Sequence, residues 1–392
     1  MDNFFREKFN NEFQQSNYDD FIKDINNSTG NRLDFKVNET PLFLDKNFTN
    51  ELILAGEEIL KVIQTKEFLE KSKSAIPQNL IVPNENDHPI FLQIDFGVAK
   101  DESGKIIPQL IELQGFPSLY AYQAFLEQKI REHFNISSEL TAYYNGFDFG
   151  LYQKFFKHTL LKNSDPENVI LLEIEPEKQK TRIDFFLTEK YTGIKTVCLT
   201  EVIKRGNKLF YKKNGIEIPI DRIYNRVIFD EMLRKNLQFD FSFKDDLDVT
   251  WIGHPNWFYK ISKFSLPLIK NKYSPPCFYL NDLEKLPEDL ENYVLKPLFS
   301  FAGSGVVIDL TKDILNNIED KSNYILQKKV NYEPIIKTPD GFAKAEIRMM
   351  YIWNDKPMLV NNLLRTSKGK MMGVDFNKNQ TWIGSSTIFH PV

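Results

Sequence analysis

Helical and strand periods alternate along the chain and set out most of its elements. Residues 50–72 repeat apolar side chains at helical spacing through Leu52, Ile53, Ile59, Leu60, Val62 and Ile63. Residues 121–134 do the same with Tyr122, Phe125, Leu126, Ile130 and Phe134. Between them, FLQIDFGVAKDESGKIIPQLIELQGF reads as two alternating strands joined by a polar, glycine-containing turn. From about residue 165, NVILLEIEP predicts a short apolar strand, RIDFFLTEKYTGI a helix ending near Gly193, and KTVCLTEV a second strand. That β-α-β rhythm predicts a small α/β lobe with parallel strands, closing with IPIDRIYNRVIF near 228. NKYSPPCFYLNDLEKLPEDLEN reads as a connection. After it YVLKP, GVVIDL, YILQKKV, AEIRMMYIW and PMLVNNLL read as mostly antiparallel strands. The whole is expected to be an α+β protein of at least two lobes.

Two segments carry candidate chemistry. In NYVLKPLFSFAGSGVVIDL a strand ends at Lys296, and a stretch with Ser300, Gly303, Ser304 and Gly305 follows. Glycines let a backbone approach a phosphate and aim N–H groups at it, while a neighbouring lysine holds charge from the side. No helix follows and the order GxxxxGK[ST] is absent, so this is neither a Walker loop nor a dinucleotide fingerprint. An ordinary hairpin with a glycine turn is the alternative. In the second segment, Gln93, Asp95 and Gly97 share one strand face, and Glu112 and Gln114 share a face of the next strand. Two carboxylates on paired strands repel unless a cation sits between them. Hard oxygen ligands with an amide suit Mg²⁺ bound with substrate phosphates. A solvated polar face is the alternative there.

Bulk properties narrow the field. The chain has 392 residues, enough for two or three lobes, and a net charge of −4 offers no global basic field for nucleic acid. The opening MDNFFREKFNNEFQQ lacks a signal-type apolar stretch, and no run approaches the roughly 18 apolar residues of a membrane span. Cys198 and Cys277 lie far apart without metal-type spacing, and the histidines form no cluster. A cytoplasmic protein without membrane, nucleic-acid or zinc chemistry is expected.

With these residues in place, the chain resembles the ATP-grasp fold, in which two lobes close on ATP. Lys263 in ISK, Lys296 before the glycine stretch and the hinge strand YILQKKV are its signals. Asp95…Glu112-x-Gln114 lies near the start, and the chain runs out through IWNDKPMLVNNLLRTSKGK and WIGSSTIFHPV. That order is similar to the circularly permuted branch that includes the synthetase domain of glutathionylspermidine synthetase.

The resemblance implies a circularly permuted ATP-grasp fold with a small α/β pre-ATP-grasp lobe. Residues 1–150 would be a helical segment plus the permuted metal-binding strands, 151–255 the α/β lobe, and 256–392 the nucleotide-binding region. It implies that Lys263, Lys296 and Ser300 touch ATP phosphates, that Gly303, Ser304 and Gly305 cover them, and that Gln327 and Lys328 border adenine. Asp95, Glu112 and Gln114 would hold magnesium, Arg365 and Arg348 would act on the reacting acyl phosphate, and Gln93, Ser118 and Arg226 would face substrate. For either Arg365 or Arg348 a structural ion pair is the alternative. The implied activity is ATP-dependent joining of a small-molecule or peptide carboxylate to an amine. A kinase on the same scaffold and a non-catalytic nucleotide-binding module are the rivals. Gln93 stands where that synthetase keeps an arginine, Gln114 replaces an Asn, and GFPSLYAY replaces an acidic, threonine-containing loop. These departures bear on the glutathione and spermidine substrates rather than on the ATP chemistry.

Overall fold

A computed structural model describes residues 1–300, 303–373, 377 and 379–392. The expected helix at 50–72 is two helices, Lys46–Ile63 and Lys66–Ser72. The break falls at Thr65, whose hydroxyl accepts from the Phe68 N–H and caps the second helix. The 121–134 pattern gives Tyr120–His133.

The two alternating strands form as Phe91–Lys100 and Ile106–Gln114 and sit in a six-stranded antiparallel sheet. Its order runs Gly384–Ser386, Pro357–Ser367, Gly341–Trp353, Phe91–Lys100, Ile106–Gln114, with Pro334–Thr338 also paired to Gly341–Trp353. Strands from the first third of the chain thus complete a sheet made by its last third.

Alternation usually marks a sheet with one wet face. Here both faces are covered. Leu92, Ile94, Phe96, Ile347 and Met349 pack with Leu52, Ala55, Ile59 and Ile63 of the Lys46–Ile63 helix. Gly56 permits that approach, since a Cβ there would lie 2.1 Å from the Tyr351 hydroxyl. On the other face Phe91, Met350 and Ile352 pack with Tyr120, Phe125 and Leu126. The rest of that face carries polar side chains and builds the site.

The β-α-β lobe forms but does not close near 228, since Thr250–Ile252 adds a strand and Ile216–Ile220 pairs in a separate antiparallel sheet. Val169–Glu173, Lys195–Cys198, Arg222–Asn225 and Thr250–Ile252 make a parallel sheet, and the Arg182–Thr192 helix ends on Gly193 in the left-handed region. A third sheet joins Cys277–Tyr279, Tyr324–Lys328 and Tyr293–Pro297. The stretch read as a plain connection therefore contains the strand Cys277–Tyr279, because its partner Tyr324–Lys328 lies too far along the chain for local signals to show the pairing. GVVIDL is not a strand. Val307 makes only an isolated bridge to Leu295, and Gly303 and Gly305 at φ 75° and 71° turn the chain away from an extended path. Among the described residues no helix is long and apolar enough to cross a membrane.

Candidate functional site

Sheet register places the charged residues in two rows. Glu112 pairs with Asp95, which pairs with Arg348. Gly97 pairs with Glu346, which pairs with Arg365. The two carboxylates predicted to converge, Asp95 and Glu112, do stand opposite each other. Arginines, however, neutralise Asp95. Arg348 binds it with both arms of its fork, Nε to Oδ1 at 2.7 Å and Nη2 to Oδ2 at 2.7 Å, and Arg365 Nη2 reaches Oδ2 at 2.5 Å. Arg365 also donates to Glu346, whose other oxygen accepts from the Tyr332 hydroxyl at 2.6 Å. Gly97 makes room for that tyrosine, since a Cβ there would lie 2.8 Å from its ring.

Glu112 faces a different set of cations. Its carboxylate accepts from Lys263 at 3.3 Å and from the Gln114 amide at 3.2 Å. Burial would raise its pKa, but Lys263, Lys296, Arg365 and Arg348 outweigh burial and pull it down to about 2. Lys263 also donates to the Ser300 carbonyl at 2.6 Å, and Lys296 donates to the Ile111 carbonyl at 2.9 Å. Burial lowers the Lys296 pKa, with Glu112 working against that.

These groups open onto a cavity of about 610 Å³. Of the residues singled out in the sequence, Glu112, Lys263, Lys296, Gly303, Gln327, Lys328 and Arg365 line it. That volume is in the range of nucleotide and cofactor pockets. Ser304 and Gly305 continue the turn beside Gly303, with Gly305 close against the Pro297 ring, and residues 301–302 of this stretch lie outside the described residues.

Several expectations change. Asp95 has both oxygens taken by arginines and is buried, so it is not placed to ligate a metal. Arg348 has its fork on Asp95 and does not line the cavity, so it orients the site from below. Gln327 spends its side-chain N–H on the Leu110 carbonyl at 3.1 Å, which leaves that amide poorly placed to read adenine. Among the described residues no group of three or more His, Cys, Asp or Glu could hold a metal ion. The oxygens that fit Mg²⁺ are those of Glu112 and Gln114, which suffices only for a metal completed by phosphate oxygens and water.

A second cluster lies across Phe116. Glu112, Gln114, Lys263, Phe299 and Ser300 line a small void with that ring. Beyond it, Arg226 follows the carboxyl end of its parallel strand, where open α/β sheets bind ligands. Its guanidinium is 4.9 Å from the Phe116 ring centroid and 5.4 Å from that of Phe185. The residue is 4% exposed, and its Nε and Nη1 have no hydrogen-bond partner. Glu173 closes the neighbouring strand, and burial pushes its carboxyl up to about 8 although Arg226 draws it down. Asp184, also buried, accepts the Leu119 and Tyr122 N–H groups and so fixes the start of the Tyr120–His133 helix. Gln93 donates to the Ser118 carbonyl at 2.6 Å and leaves its own oxygen without a partner.

Glu346, Tyr332, Glu173 and Asp184 were not singled out in the sequence. Glu346 was within reach, because it lies two residues before Arg348 and alternation puts both on one face. The others depend on long-range packing.

Neither a protein-family model nor a curated protein sequence matches this chain. Its fold does match solved structures. One is a glutathione synthetase-like effector from Globodera pallida in its apo form, with a TM-score of 0.58 at 10% identity over 97% of this chain and 98% of the other. The chain thus has a glutathione synthetase-like fold, consistent with an ATP-grasp-like architecture.

Proposed function

We propose that this protein is an ATP-dependent ligase that joins a carboxylate to an amine through an acyl phosphate and releases ADP and phosphate. The observation that carries this reading is the juxtaposition of two anion-seeking sites. Lys263, Lys296 and Arg365 converge on the cavity, and Arg226, with Nε and Nη1 free of hydrogen bonds, lies just beyond Phe116. Such a pair suits a phosphate donor and an acidic acceptor held side by side.

Each residue then has a definite task. Lys263 and Lys296 exchange their present carbonyl partners for phosphate oxygens. Glu112 and Gln114 would hold magnesium together with those oxygens, and the metal would supply positive charge to offset that of the phosphates. Asp95 and Glu346 keep Arg365 aimed at the cavity, ready to offset charge on the transferring group. Arg226 takes an anionic group of the acid substrate. The strand Tyr324–Lys328, with Lys328, borders the base.

The test is the product analysis. With ATP, Mg²⁺ and a panel of acids plus hydroxylamine, ADP, phosphate and an acid hydroxamate are expected. AMP as product would sink the phosphoryl-transfer reading. ADP with a stable phosphorylated product and no hydroxamate would replace the ligase with a kinase.

A further inference from the structure

The cavity wall is more strongly cationic than a site for metal-complexed nucleotide requires. Among the described residues it carries seven cations, Lys263, Lys296, Lys328, Lys329, Lys344, Lys370 and Arg365, against three carboxylates, Glu112, Asp309 and Glu346. The excess is four positive charges. A nucleoside triphosphate free of metal carries about four negative charges at neutral pH, and its magnesium complex about two. The wall is thus matched to the metal-free triphosphate.

Burial strengthens the match. Lys263 is 4% exposed and Lys296 is 8% exposed, so their attraction for phosphate acts through a medium of low dielectric constant. The means of holding a metal are correspondingly thin. Asp95 is neutralised by Arg348 and Arg365, Glu346 is held by Arg365 and Tyr332, and Asp309 is paired with Lys370 at 3.1 Å. Among the described residues Glu112 alone faces the cavity with carboxylate oxygens near the phosphate-seeking lysines. One carboxylate and one amide, set among four cations, hold a divalent ion weakly without phosphate oxygens beside them.

We propose that the cavity binds a nucleoside triphosphate through its own cations and that magnesium is not needed for this binding. The proposal rests on reading the cavity as the nucleotide site.

Isothermal titration with the β,γ-imido analogue of ATP tests it without relying on turnover. The titration is run once in EDTA and once in excess Mg²⁺, at equal ionic strength. Affinities within about tenfold of each other are expected. In EDTA, Lys263→Gln with Lys296→Gln should weaken binding by at least about tenfold, and wild-type binding should fall as salt is raised. Should the double variant fold poorly, Lys328→Gln with Lys370→Gln, both at exposed positions, should make affinity fall less steeply with salt than it does in wild type. Binding more than about tenfold tighter in Mg²⁺ would overturn the proposal and leave the nucleotide reading standing. Absence of binding in both buffers would overturn the two together.

Discussion

Asp95 and Arg348 form a two-pronged ion pair beneath the floor of the site, with both contacts at 2.7 Å and both side chains under a tenth exposed. The pair fixes what Asp95 can do. Removing one partner of such a pair strands the other charge in a medium that solvates it poorly. Asp95→Asn is therefore expected to cost about 3–5 kcal/mol in urea unfolding. A stability change below about 1 kcal/mol, with a shifted magnesium requirement, would restore Asp95 as a metal ligand.

Lys296→Ala tests the cradle. The side chain is buried, and its present partner is a backbone carbonyl rather than a carboxylate. Nucleotide binding should weaken by about 1.5–3 kcal/mol. Circular dichroism should show the fold retained. Unchanged affinity would remove this lysine, and the glycine stretch beside it, from the nucleotide site.

Glu112 gives stability a dependence on acid. Its carboxyl sits at about 2 against an ordinary 4.5, so the folded state binds that proton less readily than the unfolded chain. The contribution is complete above pH 4.5 and is lost as the pH falls towards 2. Glu112→Gln should flatten stability over that window and abolish magnesium-dependent turnover, whereas Gln114→Asn should keep activity. An acid-unfolding profile identical to wild type would contradict the charge cluster.

The carboxyl of Glu173 works in the opposite direction. It is pushed up to about 8 by burial, so it stays protonated in the fold while the unfolded chain ionises above 4.5. Stability should therefore decline as the pH rises from 4.5 to 8. Glu173→Gln should remove that decline, matching wild type at pH 5 and exceeding it at pH 8. Equal loss at both pH values would mean that Glu173 is ionised in the fold.

Arg226→Ala addresses the acid substrate. Since Nε and Nη1 have no partner and Nη2 makes only a 3.5 Å contact with the Thr181 hydroxyl, truncation should alter stability by less than about 1 kcal/mol beyond lost packing. The KM for the acid should rise at least about tenfold while that for ATP holds. A parallel rise in both would make the residue a scaffold of the lobe.

The sequence showed local elements well and partnerships poorly. Period-two alternation located the strands of Asp95 and Glu112 and put both carboxylates on one face, and register confirmed the pairing. It could not show that Arg348 lies on the next strand, because nothing local links positions 253 residues apart. Charge called for a cation shared between the two carboxylates, but the structure serves them separately, with guanidinium groups on Asp95 and Lys263 on Glu112. The helix of 50–72 was overextended because Gln64 and Thr65 interrupt it without proline or glycine. Tyr332 and Asp184 owe their roles to packing that no period encodes.

The pairing of Phe91–Lys100 with Gly341–Trp353 also sets a schedule for making the protein. Asp95 leaves the ribosome 253 residues before Arg348. At about 5–20 residues per second the wait is on the order of ten seconds or more. Until then the inner strand has an open edge and an uncompensated carboxylate on a surface destined for burial. Early emergence of that strand makes the nascent chain dependent on whatever shields an unpaired strand, and a chain stopped before Arg348 would carry the first strands of the six-stranded sheet with no means of closing it.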